Sequence, residues 1–261
     1  MIEDADKRIL ILIPCSLSKN TTRDSNNNNQ EEFADPLPGI KEKREKLLNY
    51  VRKTEVIASK EENIKGILNP RAPRLRALDL YTGRLYKEAR YALRKIANSN
   101  DNYLRRIEVL IVSAFYGLVK LNEGVKLYNL TMTDKLNTGY TVYRFWKEEK
   151  LWEILENYIF TYNIAYIWSL LPTSNQYPYH HVFDNLWEKL KNNEGDNDRN
   201  KPEIRCFHVK PLRSGSDSGR RRGVWLREVI IDYPEYLSEP TKLPEEINGI
   251  KYEYIPCYDI A

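Results

Sequence analysis

The stretch Arg8-Ile-Leu-Ile-Leu-Ile-Pro-Cys-Ser-Leu-Ser-Lys19 decides how this chain is read. The run over residues 8–13 is apolar after Arg8, short, and closed by Pro14, which is the pattern of a buried strand. A thiol, two hydroxyls and an ammonium follow at once, at Cys15, Ser16, Ser18 and Lys19. The same change from apolar strand to small polar residues recurs twice. Residues 107–113, IEVLIVS, run into Ser113-Ala114-Phe115-Tyr116-Gly117-Leu118. Residues 164–171, IAYIWSLL, run into Pro172-Thr173-Ser174-Asn175-Gln176-Tyr177.

Helical patterns separate these strands. Over residues 81–97, Leu85, Ala89, Ala92, Leu93 and Ile96 repeat at three- and four-residue spacing, with Thr82 placed to cap the helix. Residues 40–54 predict a surface helix with a thin apolar stripe. Residues 143–160 predict a helix with Phe145, Trp146, Leu151, Trp152, Leu155 and Ile159 inward. Residues 178–191 predict another, around Val182, Phe183, Leu186, Trp187 and Leu190. A fourth strand is expected at 203–209. Beyond it come a basic loop, RSGSDSGRRRGVW, and strands at 224–231 and 251–255. Strands alternating with helices predict a three-layer α/β domain with a mainly parallel central sheet. We read residues 1–261 as a single domain, with 21–74 an insertion or mobile loop region and 192–202 a shorter insertion. In such a sheet, ligands bind outside the carboxyl ends of the strands. The three polar strand ends are therefore the candidate site: small residues let backbone approach a ligand, hydroxyls and amides hydrogen-bond it, and Lys19 supplies charge.

Composition narrows the classes. The chain has 261 residues, 41% hydrophobic and 30% charged, enough apolar material for a sizeable core. A net charge of +4 permits a nucleic-acid partner. Three widely spaced cysteines, Cys15, Cys206 and Cys257, argue against a disulfide framework and predict a reducing, cytoplasmic setting. No C-x-x-C or H-E-x-x-H occurs, so neither a metal nor a cofactor is expected. The opening MIEDADKR has no leader pattern, and no apolar run approaches the about 18 residues that cross a bilayer. No membrane partner is expected, and the oligomeric state is left open.

Three blocks carry a family resemblance: PCSLSK after the first strand, DLYTGRLYKEAR, and VLIVSAFYGLVKLNEGVKLYNLTM. In this order they resemble the superfamily of YaaA-like peroxide-stress proteins, which includes proteins with a P-C-S-x-x-K start and the middle domain of archaeosine synthase. The resemblance implies a core similar to uracil-DNA glycosylases and a role near nucleic acid, DNA or tRNA, or a modified nucleobase. The Gly-Gln-Asp-Pro and His-Pro-Ser stretches of the glycosylases do not occur, so the core is implied and that excision mechanism is not. Carried over motif by motif, the family-patterned positions are Pro14, Cys15, Ser16 and Lys19, then Asp79, Leu80, Tyr81, Thr82 and Gly83, then Ser113, Tyr116, Gly117, Leu118, Tyr128 and Leu130.

From these we expect Cys15, Ser16, Lys19, Asp79 and Ser113 to handle protons or nucleophilic chemistry. Pro14, Tyr81, Thr82, Gly83, Tyr116, Gly117 and Tyr128 are expected to shape the substrate pocket. Each has a plainer reading: Cys15 as a small buried residue, Asp79 as a helix-start carboxylate, the tyrosines as core. His180-His181 offers a general base, since histidine titrates near neutrality. Arg220, Arg221 and Arg222, near Lys210 and Arg213, are expected to contact phosphate from a flexible loop. Three functions fit: a protein that binds, and excises or modifies, a base in nucleic acid; a non-catalytic DNA-binding stress protein; and an enzyme on a free nucleotide or nucleoside.

Overall fold

A computed structural model describes residues 7–21, 33–54, 66–67, 69, 71–193, 204–212 and 217–260. The Asn-rich run at 22–32, most of the 192–202 insertion, and Arg213 lie outside the described residues. In chain order the elements are β1 (Arg8–Pro14), α1 (Ile40–Arg52), β2 (Arg74–Arg76), α2 (Ala77–Leu80), α3 (Arg84–Ala97), β3 (Ile107–Ser113), β4 (Gly117–Lys120) and β5 (Gly124–Lys126). Then follow α4 (Val142–Glu148), α5 (Leu151–Thr161), β6 (Ile164–Ser169), α6 (Asp184–Asn193), β7 (Arg205–Pro211), α7 (Ser218–Asp232), β8 (Glu246–Ile247) and β9 (Ile250–Pro256).

The fold is mixed α/β around a seven-stranded sheet ordered β4-β3-β1-β6-β7-β9-β8. β3, β1, β6 and β7 run parallel, and β4, β9 and β8 add antiparallel edges. β1 lies inside the sheet, Ile9 opposite Ile107 on one side and Tyr166 on the other. All of Ile9 to Ile13 are 0% exposed, so both faces are covered, as the unbroken apolar run requires. At roughly 1.5–3 kcal/mol per buried aliphatic side chain, this strand is a major stabilising element.

Several expectations change. The helix expected at 143–160 is two helices, broken where Lys150 takes φ 53°. The helix expected at 178–191 begins as a 3-10 turn, His180–Phe183. Gly83, not Thr82, occupies the N-cap of α3, with no side-chain cap. The largest correction concerns the basic loop and the strand expected at 224–231, which together form α7. Trp225, Leu226, Val229 and Ile230 are buried at helical spacing, so tertiary packing overrides the β-branched composition. α7 lies along α3, and Gly223 permits the approach: a Cβ there would sit 2.5 Å from the Leu85 carbonyl oxygen. The cysteine expectation also fails. Cys206 and Cys257 form a disulfide. Antiparallel pairing sets Phe207 opposite Pro256, which brings together two cysteines 51 residues apart in sequence. Sequence spacing carries no trace of that pairing.

Candidate functional site

The ends of β1 and β3 converge with residues from three other segments. Val112 accepts a hydrogen bond from the Cys15 amide at 2.8 Å, extending the β1–β3 pairing one residue past the strand. The chain then turns and runs beside residues 80–82: Asn20 donates to the Leu80 carbonyl, Thr82 donates to the Ser18 carbonyl, and Lys19 bridges Tyr81. Gly83 sits against Ser16, since a Cβ there would fall 2.1 Å from the Ser16 Oγ. The Tyr86 hydroxyl donates to the Pro14 carbonyl at 2.8 Å. The first two motif blocks are thus one structural unit.

The third block supplies the floor. Ser113 Oγ and the Tyr128 hydroxyl are 2.8 Å apart, and the Tyr81 and Tyr128 hydroxyls 3.0 Å apart. The Tyr81 hydroxyl donates to Ser113 Oγ at 3.4 Å, and the Tyr116 amide donates to the same oxygen at 3.0 Å. Tyr81, Tyr128 and Ser113 are each 0% exposed. Buried hydroxyls are costly unless paired, and these pair with one another. Burial raises the pKa of Tyr81, Tyr86 and Tyr128 well above the usual phenol value. The three phenols are therefore neutral near pH 7, acting as donors and not as bases.

Lys19 is the charge in this setting. Its Nζ lies 4.3 Å from the Tyr128 ring centroid and 5.9 Å from that of Tyr81. Burial lowers its pKa, an effect opposed by Cys15. No carboxylate pairs with it among the described residues. A half-buried ammonium over an aromatic face, with no carboxylate partner, is complementary to a planar group carrying an anionic or carbonyl edge. Cys15 Sγ lies 3.3 Å from the Tyr179 hydroxyl, and burial raises that phenol's pKa too.

Tyr179 is the site residue that sequence reasoning missed. The third strand end folds back after Tyr177, with Tyr179 donating its amide to the Tyr177 carbonyl and His180 donating to the Pro172 carbonyl. This return delivers Tyr179, not the polar run 172–177, to Cys15. The one sequence signal was its place just beyond a strand end, next to Tyr177 and two histidines.

Other expected residues lie elsewhere. Asp79 holds Arg76 at 2.7 Å, Arg94 at 3.1 Å and Arg90 at 3.7 Å. Arg90 in turn donates to the Leu78 and Tyr81 carbonyls, so Asp79 bears on the site through that arginine. The Tyr116 hydroxyl accepts from the Lys126 amide at 2.8 Å, and its ring meets Arg44 at 5.2 Å. It borders a separate surface hollow of about 430 Å³ with Lys41, Arg74 and Glu123. Gly117 takes φ 67° and leaves room for Trp146, whose indole donates to the Ala114 carbonyl at 2.8 Å. His181 is held on both sides, by Asp184 and by the Thr173 carbonyl. The arginines expected in a flexible loop stand in the first turns of α7. Arg220 pairs with Asp217 at 2.9 Å, Arg221 donates to the Leu212 carbonyl at 2.7 Å, and Arg222 is buried with Ser218. The segment is thus a helix and not a flexible loop, with Arg220 part-exposed beside Asp217.

No described helix is long and apolar enough to cross a membrane. No curated protein matches the chain. The profile of the peroxide stress protein YaaA family matches residues 9–177, from β1 through the third strand end. That span takes in Cys15, Lys19, Tyr81, Ser113 and Tyr128 and more than half of the sequence, and on it the chain belongs to the YaaA peroxide stress protein family.

Proposed function

We propose that this chain is a stress protein that captures an unpaired or flipped nucleobase of DNA or tRNA at the ends of β1 and β3. The observation that carries this reading is Lys19, a half-buried ammonium 4.3 Å from the Tyr128 ring with no carboxylate partner among the described residues. A base offers what that ammonium lacks, a carbonyl or anionic edge on a flat ring. The resemblance of the three motif blocks to the YaaA-like superfamily, which includes the archaeosine synthase middle domain and implies a core similar to uracil-DNA glycosylases, supports the same ligand class.

A binding-only role has its own support. The phenols are neutral and satisfied by one another, which leaves Lys19 and Cys15 as the reactive groups.

Mass spectrometry of genomic DNA and of tRNA, each incubated with the protein, separates the readings. Binding lost in Lys19→Met, with a released base or an altered nucleoside, establishes an enzyme. Binding lost in Lys19→Met with no mass change establishes the non-catalytic protein. Binding unaffected by Lys19→Met removes the site from nucleic-acid recognition, and binding of free nucleotides alone moves the ligand to that class.

A further inference from the structure

A second buried cluster lies beyond residue 177, around the disulfide. The bridge ties Cys206 of β7 to Cys257, the first residue of a 3-10 turn, Cys257–Asp259, that follows β9. Both cysteines are buried. The Cys257 carbonyl oxygen lies 3.0 Å from His180 Nε2. A carbonyl oxygen only accepts, so Nε2 carries the hydrogen and donates it. The His180 ring stacks on Trp187 of α6 at 5.4 Å, and the Trp187 indole donates to the His180 carbonyl at 3.3 Å. The residue before His180 is Tyr179, whose hydroxyl is 3.3 Å from Cys15 Sγ. An unbroken series of contacts thus runs from the disulfide to the site at the ends of β1 and β3.

The bond between the sulfurs keeps this series in place. Two unbonded sulfurs move apart to van der Waals contact, and a close-packed interior has no spare room for that. One side must shift. β7 is hydrogen-bonded to β6 and to β9 and stays in the sheet. Cys257 lies just beyond the last paired residue, Pro256, so the turn is the side that yields. The turn is held to α6 by an ion pair between Lys191 and Asp259 at 3.3 Å, both about half exposed, and such pairs are weak. The same weakness lets a small thiol reach the buried bridge by local opening. When the turn moves, its carbonyl leaves the His180 N–H. His180 is buried, and a buried donor without an acceptor is costly, so the imidazole shifts and takes Tyr179 with it.

We propose that the Cys206–Cys257 bridge is a redox switch on the candidate site: bonded, it holds Tyr179 against Cys15 through His180, and reduced, it lets Tyr179 go. His180 is a positioning residue, since it acts through Tyr179. That the switch governs nucleobase capture rests on the function proposed above; that it governs Cys15 does not. The chemistry balances. A dithiol reductant supplies two electrons and two protons, the sulfur–sulfur bond breaks, and two thiols form, while the reductant becomes a disulfide. In return, one thiolate attacks hydrogen peroxide and the O–O bond breaks, giving a sulfenic acid and a hydroxide that takes up the thiol's proton as water. The second thiol displaces the sulfenic hydroxyl as a second water, and the Cys206–Cys257 bond re-forms. Peroxide therefore closes the lining around Cys15, and a thiol reductant opens it.

The test reads Cys15 itself. The full chain is prepared in the disulfide form, identified by its mass, and in the reduced form without oxygen. Labelling of Cys15 by iodoacetamide is then timed by peptide mass spectrometry. We expect Cys15 to react about tenfold faster in the reduced form, because its thiol is freed from the Tyr179 hydroxyl. Cys206→Ser with Cys257→Ser gives the fast rate with or without a reductant. His180→Leu keeps the bridge and cuts the series, so its Cys15 reacts at one rate in both forms, whereas general loosening on reduction would still speed it. Equal Cys15 rates in the two forms of the unaltered chain, slow labelling in the double serine variant, or a redox dependence that survives His180→Leu would overturn the switch. The double serine variant decides alone where His180→Leu does not fold. Binding of single-stranded DNA and of tRNA to the same two preparations judges the ligand. Binding about fivefold tighter in the disulfide form ties the switch to capture, and equal binding by both forms overturns that tie. Binding by neither form removes the nucleobase reading and leaves the switch to be judged on the Cys15 rates.

Discussion

Two buried polar clusters among the described residues lie toward the carboxyl ends of the parallel strands, and they are built on opposite principles. At β1 and β3, Ser113, Tyr81 and Tyr128 close a ring of hydroxyls in which each oxygen has a partner. At β6 and β7, Ser169 Oγ, His180 Nδ1, His208 Nδ1 and Arg222 Nε have none among the described residues. Burial alone does not distinguish them, since Ser113 and Ser169 are both 0% exposed. The first cluster is a finished mount that holds one cation toward a ligand. The second is a set of acceptors and donors that the protein itself leaves unanswered.

The sharpest way to break this comparison is to open the second cluster. Losing the disulfide through Cys206→Ala with Cys257→Ala is expected to cost about 2–5 kcal/mol under oxidising conditions, because the bridge closes a long loop. Denaturant unfolding with and without a reductant checks this, and equal midpoints would show that the bridge does not form in solution. Next, Ser113→Ala deprives Tyr128, Tyr81 and the Tyr116 amide of a shared partner, at an expected cost of about 1–3 kcal/mol. A loss below the error of a urea titration would mean that water replaces the hydroxyl and that the ring is not closed.

Acid treats the two clusters differently. His180 and His208 have folded pKa values of about 4 and about 2, below their ordinary 6.5. Between those values the unfolded chain binds protons that the folded chain does not. Stability is therefore fully present above pH 6.5 and falls as pH drops toward 4 and then 2, by up to about 1.4 kcal/mol per pH unit for each histidine. A melting temperature that stays level from pH 6.5 to 5 in the disulfide form would contradict the burial of both rings. The smallest effect is the most diagnostic. His208→Leu in the disulfide form is expected to change stability by less than about 1 kcal/mol, because an unpartnered polar group is exchanged for an apolar one. It should also halve the acid dependence. A large loss would reveal a partner for that imidazole and join the two clusters under one principle.

What the sequence showed and hid follows from the same contrast. Apolar runs such as 8–13, 107–113 and 164–169, short and bounded by turn residues, mark strands buried on both faces. The residues just after the first two runs then mark the site, and Cys15, Lys19 and Ser113 were legible there. Tyr81 and Tyr128 were legible only through the family motifs. Tyr179 was not, because a return loop delivers it. The apolar half of α7 looked like a strand, since Val224, Val229 and Ile230 are β-branched; its helical form depends on α3, more than a hundred residues earlier. The disulfide was hidden for a similar reason, as an antiparallel pairing joins distant segments and leaves no local spacing.

The position of β1 has a kinetic consequence. It is made before both of its neighbours in the sheet, residues 107–113 and 164–169. Its five wholly buried side chains wait for chain made much later, a topology of high contact order that slows folding and exposes sticky surface meanwhile. Cys15 and Lys19 follow this strand directly, and the contact of Cys15 with Tyr179 joins it to the segment that follows β6. During refolding, ligand competence should therefore emerge together with the slow docking of the sheet and not with early helix formation.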